Sequence, residues 1–129
     1  MPNFSQASLD KLSTCDERLQ RLFNQVIRYR DCTIIDGHRG REAQEEAFKR
    51  GASKSHYGQS AHNYEPSCAV DVMPYPINWE DMNGLRDFAG FVQGIAAMLD
   101  IDIRWGGNFK SFFDGPHYEL VDKYQARIP

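Results

Sequence analysis

Apolar positions recur along this chain with two different periods, and the alternation between the periods predicts its elements. From Asp16 to about Arg30, Leu19, Leu22, Phe23, Val26 and Ile27 recur at intervals of three and four, with Arg18, Arg21, Gln25 and Arg28 between them. That spacing predicts a helix with one apolar stripe, capped by Asp16. Ahead of it, Leu9 and Leu12 behind Ser5 or Ser8 predict a short helix over residues 5–13. The run Arg41–Arg50 is rich in helix formers and stops at Gly51, and Leu85–Leu99 carries the clearest stripe of all, through Leu85, Phe88, Ala89, Val92, Ile95, Ala96 and Leu99. Gly90 and Gly94 on that last helix are expected to let it pack closely on a sheet.

The other period is two. Cys32–Asp36 is a short β-prone run ended by Gly37, and in Cys68–Met73 the residues Val70 and Val72 point one way while Ala69, Asp71 and Met73 point the other. Ile101–Trp105 reads as a strand closed by Gly106-Gly107, and His117–Val121 as a last one in which His117 and Glu119 share a face opposite Tyr118 and Leu120. Ala52–Pro66 has no period and much Ser, Gly, Tyr and His, so it reads as a long ordered loop, and Asn78–Met82 as a turn or short helical piece. The late strands are joined by irregular connections rather than helical crossovers. The expected fold is therefore α+β: a single domain over residues 1–129 in which helices flank a small antiparallel sheet, with N-terminal helices over about 5–30 and a core over about 32–122.

Composition narrows the choice of function. At 129 residues the chain can bury roughly two thirds of its unfolded surface unaided, so any metal it binds need not be a structural staple. A net charge of −3 without a Lys/Arg cluster gives no footprint for nucleic acid or an anionic membrane, and no apolar run approaches the roughly 20 residues of a membrane span. The N-terminus lacks a basic segment followed by an apolar one, so no signal peptide is expected. Cys15, Cys32 and Cys68 are odd in number and lack CxxC spacing, which points to free thiols in a reducing compartment rather than disulfides or a thiolate zinc cluster.

The candidate chemistry lies in two segments. His62 and Asp71 stand either side of an irregular stretch able to fold back, and His117 opens a strand after the turn Gly115-Pro116. Two imidazoles and one carboxylate from separate segments are what an open zinc site needs, with a fourth position for water. A carboxylate in a strand as apolar as that of Asp71 is costly unless paired or bound to metal. Residues three apart in a strand face opposite sides, so Asp114 can join His117 only because Gly115-Pro116 bends the chain; there Asp114 could take the proton of an attacking water. Arg39, between glycines after a strand, is suited to hold a substrate carboxylate or an oxyanion, or else makes a structural ion pair. Ser60 is a candidate hydrogen-bond donor to substrate or a loop-turn hydroxyl. Glu119 is either a partner that orients an imidazole or a surface carboxylate. His38 and His56 read as loop histidines. Trp105, Tyr57, Tyr64 and Phe109 line a cleft or join the core. Cys68 falls on the face of Val70, away from Asp71.

Taken together, Gly37-His38-Arg39, Ser60-Ala61-His62, Ala69-Val70-Asp71 and Asp114-Gly115-Pro116-His117 resemble the VanY-like zinc D,D-peptidases. Trp105-Gly106-Gly107-Asn108-Phe109 and Pro116-His117-Tyr118-Glu119-Leu120 look like the phage L-alanyl-D-glutamate peptidase branch in particular. The resemblance implies Zn2+ on His62, Asp71 and His117, an acid/base at Asp114, substrate contacts from Arg39 and Ser60, and cleavage of the L-Ala–D-Glu amide in the peptidoglycan stem peptide. It implies a monomeric endolysin with no separate wall-binding domain, made in the host cytoplasm and released to periplasmic peptidoglycan by a holin. The His62–Asp71 spacer, with Glu65-Pro66-Ser67 in it, is longer than the family's commonest form. The alternatives are a D,D-carboxypeptidase or dipeptidase on the same site, a thiol peptidase using Cys32 or Cys68, and a wall-binding module without catalysis.

Overall fold

A computed structural model describes residues 2–123 and 126–129. Among them the elements run α1 (Gln6–Leu12), α2 (Glu17–Val26), β1 (Cys32–Asp36), α3 (Arg41–Lys49), β2 (Ala69–Pro74), α4 (Met82–Met98), β3 (Ile103–Trp105) and β4 (His117–Leu120), with 3-10 turns at Ala61–Asn63 and Gly106–Asn108. The strands form one antiparallel sheet in the order β1-β2-β4-β3. Together with its flanking helices this is the α+β arrangement that the two periods predict.

The caps act as expected. Ser5 accepts a hydrogen bond from the Ser8 amide ahead of α1, and Asp16 accepts one from Arg18 ahead of α2, each satisfying a donor that the first turn leaves open. Gly51, with φ +81°, ends α3 in the left-handed region. Helix α4 begins three residues before the first stripe position. The Asp81 carboxylate accepts from the Gly84 amide, and this cap starts the helix ahead of the stripe, at the exposed Met82. Strand β3 begins later than Ile101, because the Ile101 amide bonds back to the Ala96 carbonyl and the preceding Asp100 sits at φ 58°. Gly90 and Gly94 do not pack on the sheet. They are exposed, and a Cβ built on either meets nothing, since α4 turns Leu85, Phe88, Ala89, Val92 and Ala96 inward instead.

One core runs between helices and sheet. α2 packs on α4, and α4 lies across β2 and β3. The sheet gives this core Cys32, Ile34, Val70, Val72, Tyr118, Leu120 and Trp105, every one buried. Alternation then sends Asp71, His117 and Glu119 to the opposite face, together with Arg104, the cross-strand neighbour of Glu119. β1 departs from strict alternation. Ile34 pairs with Val72, but Asp36 pairs with Asp71, so Ile35 is an extra residue that bulges. The bulge turns Asp36, which would otherwise share the core face of Ile34, towards the face that carries Asp71. Among the described residues no helix is long and apolar enough to cross a membrane.

Candidate metal centre

The pairing of β2 with β4 sets Asp71 directly opposite His117. The third member comes from the long loop, where the turn Ala61–Asn63 is capped by Ser60, whose hydroxyl accepts from the His62 amide at 3.2 Å. Two bonds anchor His62 to the connection after β1: its carbonyl accepts from the Arg39 amide at 2.8 Å, and its Nδ1 donates to the Gly37 carbonyl at 2.7 Å. Gly37 is required here by close approach, because a Cβ would lie 2.4 Å from Thr14 Oγ1 and 2.5 Å from the Lys11 carbonyl. His62 and His117 are buried, and their rings meet edge to face at 5.1 Å.

The partners fix the tautomers. The Gly37 carbonyl can only accept, so His62 carries its proton on Nδ1 and turns the Nε2 lone pair inward. Glu119 Oε1 takes the Nε2 proton of His117 at 2.7 Å, leaving Nδ1 to face the same point. Both free nitrogens lie 3.2 Å from Asp71 Oδ1, and the donor atoms of the three residues all fall within 4.8 Å of one another. Lone pairs gathered this way repel unless a proton or a metal ion lies among them. Donors on one tetrahedral ion at roughly 2.0–2.2 Å are themselves roughly 3.3 Å apart, and the two separations to Asp71 Oδ1 match that spacing. His62, Asp71 and His117 are thus brought together as the sequence predicts, in a group that could bind a metal.

Around the three lie the other expected residues. Asp114 Oδ2 is 3.8 Å from His117 Nδ1, brought there by the bend at Gly115-Pro116. Arg39 is engaged on all sides: Nε donates to Asp36 at 2.6 Å, Nη1 to Gln44 at 3.0 Å and Nη2 to Asp71 Oδ2 at 3.3 Å. It therefore holds the Asp71 carboxylate with Oδ1 turned to the imidazoles, while still lining the cleft. Ser60 lines the same cleft and serves as the turn's cap. Tyr64 and Phe109 line it as well. Trp105 belongs to the core, its Nε1 donating to the Gly115 carbonyl, and Tyr57 bonds to the Pro129 carbonyl. His38 bonds to the Tyr64 carbonyl and His56 to Glu45, both away from the three donors. In the spacer, Glu65 and Pro66 are exposed while Ser67 and Cys68 are buried, so its additional length is spent outside the site.

The local electrostatics follow from burial and these bonds. Burial opposes a charge on Asp71, but His62 and His117 outweigh it and hold the carboxyl well below the usual carboxylate range. Burial likewise opposes a proton on His117, yet its bonds to Asp71 and Glu119 raise it to about 9. Asp114 is pushed up by burial, with His117 pulling the other way, so it binds a proton more readily than an exposed aspartate. All three cysteines are free, and burial drives Cys32 to about 12 and Cys68 to about 11, which leaves neither as a thiolate nucleophile.

Three participants escape the sequence reading. Asp36 has the parity of a core position, and an acid at such a position signals the bulge. Gln44 and Asn63 are buried amides that bind each other, Arg39 and the loop: Asn63 Nδ2 donates to Gln44 Oε1, and Asn63 Oδ1 accepts from the Gly58 and Ser60 amides. Nothing in the local pattern marks them, because their partners are distant in sequence.

Two imidazoles and a carboxylate on the open face of a small antiparallel sheet, with a second acid beside them, form a group that could hold a metal ion. A family profile of phage L-alanyl-D-glutamate peptidases matches residues 2–121, and the chain belongs to that family. It is 31% identical over 105 residues to the peptidoglycan L-alanyl-D-glutamate endopeptidase CwlK of Bacillus subtilis (strain 168), covering 70% of this chain and 61% of the relative, so it spans under two thirds of that protein's length. Its fold is similar to the crystal structure of the Serratia marcescens L-Ala D-Glu endopeptidase ChiX, with a TM-score of 0.77 and 28% identity over 92% of this chain and 90% of the other.

Proposed function

We propose that this chain is a zinc-dependent peptidoglycan endopeptidase that hydrolyses the amide between L-Ala and D-Glu of the stem peptide. The observation that carries the reading is the convergence of His62 Nε2, Asp71 Oδ1 and His117 Nδ1, with Asp114 alongside. Two nitrogens and one oxygen suit zinc and leave a coordination position open. Bound there, the ion would polarise the scissile carbonyl and acidify a water.

The protein's own residues do the rest. Asp114 takes the proton of the attacking water and returns it to the leaving amine, a role suited to a carboxyl whose proton affinity burial has raised. Glu119 and the Gly37 carbonyl hold the two imidazoles in the required tautomers, and Arg39 steers Asp71. Ser60, whose hydroxyl oxygen is occupied as an acceptor, retains its proton for a substrate carbonyl. The two relatives, both L-Ala–D-Glu endopeptidases, support the bond assignment.

The test is digestion of purified peptidoglycan with and without a chelator, with identification of the newly freed amino group. Chelator-sensitive release of the D-Glu amine is expected; loss of terminal D-Ala alone would instead indicate a carboxypeptidase. The site is complete within one chain, which supports a monomeric enzyme, checked by light scattering. Delivery from the host cytoplasm by a holin rests on the phage character of the family. It predicts lysis on co-expression with a holin and none without.

A further inference from the structure

The cleft over the site occupies about 1600 Å³, and its charge is opposite to that of the chain. Among the described residues it is lined by four carboxylates, Asp36, Asp71, Asp114 and Glu119, all of them in or around the metal centre. Besides Arg39, six cations face it: Lys11, Arg50, Lys54, Arg104, Lys110 and Lys123. With both imidazoles neutral the cleft carries about +3, while the whole chain carries −3. A concave surface with such a surplus attracts anionic ligands.

One of these cations is placed with no carboxylate at ion-pair distance, although its charge helps to lower the Glu119 carboxyl. Arg104 projects from β3 onto the site face, opposite Glu119. Its guanidinium carbon stands 4.6 Å above the ring of Phe109, which in turn lies 5.5 Å from the ring of His117. Among the described residues its guanidinium N–H groups donate no hydrogen bond, so they are available to grip a carboxylate with two parallel bonds. No carboxylate among the described residues forms an ion pair with it, and the nearest by register, Glu119, is already committed to His117 and Lys123. Arg104 is therefore held about 10 Å or less from the His117 ring, within about three residues of an extended peptide whose scissile bond lies at the metal centre.

We propose that Arg104 is a specificity-determining residue that binds a substrate carboxylate on the leaving side of the scissile amide. This deepens the endopeptidase reading and rests on it. An alanine on the acyl side brings no free carboxylate. A glutamate on the amine side keeps one even after the chain continues from its other carboxyl.

The experiment uses two synthetic stem peptides, identical except that this glutamate carboxylate is free in one and an amide in the other. The wild-type protein loaded with zinc is expected to cleave the acid with a kcat/KM about tenfold above that of the amide, a preference residing in KM. In Arg104→Gln the ratio should fall towards one, in Arg104→Lys to an intermediate value, and in Lys110→Gln by less than twofold. In the wild type it should also shrink as salt is raised from about 0.05 to 0.5 M. A ratio unchanged in Arg104→Gln, or lowered equally by Lys110→Gln, overturns the assignment, as does a salt-independent wild-type ratio if the Gln variant does not fold. Failure of the wild type to cleave either peptide would count against the endopeptidase reading itself.

Discussion

On the proposed function, zinc and a proton compete for His117, and the competition can be measured. In the metal-free protein the imidazole is raised from 6.5 to about 9 by Asp71 and Glu119 against the opposing effect of burial, so near neutral pH it is charged. Zinc must displace that proton, because only neutral imidazole is a ligand. Below about pH 8 the apparent zinc affinity should therefore rise about tenfold per pH unit, or about 100-fold from pH 6 to pH 8. About one proton should be released per ion bound at pH 7. Isothermal titration calorimetry in buffers of different ionisation heat reads both quantities. The raised value also fixes the sign of the metal-free stability. Protonated His117 contributes about 3 kcal/mol, fully present below about pH 6.5 and lost as pH rises through about 9. The metal-free melting temperature should fall across that window, and the zinc-loaded one should not. An affinity flat between pH 6 and pH 8, with no proton released, would refute the tautomer and pairing scheme for His117.

Other expectations are simpler. Asp114→Asn should lower kcat by about 10²- to 10⁴-fold while leaving zinc bound, measured by muropeptide release and metal analysis. Glu119→Gln should weaken zinc binding about 10- to 100-fold, since His117 Nε2 loses its charged partner, and competition with a chelating dye would show it. Gly106→Ala would put a Cβ 2.2 Å from the Asp114 carbonyl and 2.9 Å from the Cβ of both Asp114 and His117. Displacing them by about an ångström should cost about 100-fold in turnover and 1–3 kcal/mol of stability, read by assay and by thermal melting.

The elements that sequence reads best are those whose partners are close in the chain. The stripe of α2, the bounds of β1 and the alternation in β4 follow from neighbours two to four positions away, and the caps Ser5 and Asp16 from residues just beyond them. The three donors are legible for a related reason: each is a costly residue in a poor place for it unless a ligand compensates. What escapes depends on contacts across the fold. The outward turn of Gly90 and Gly94 depends on which side of α4 meets α2 and the sheet. The engagement of Arg39 with Asp36 depends on the bulge at Ile35, which only the β1–β2 register reveals. The local pattern leaves Glu119 between two roles, and a single distance to His117 decides between them.

Two of the three donors sit on adjacent hydrogen-bonded strands at the centre of the sheet, whereas His62 is carried by the loop. An ion at their meeting point would be a clasp between a hydrogen-bonded plate and the flap of loop laid against it. Withdrawing it should leave the plate unchanged and loosen the flap, so in limited proteolysis of chelated protein the first cuts should fall between Ala52 and Ser60. The metal would then set the shape of the substrate's doorway as well as the chemistry behind it.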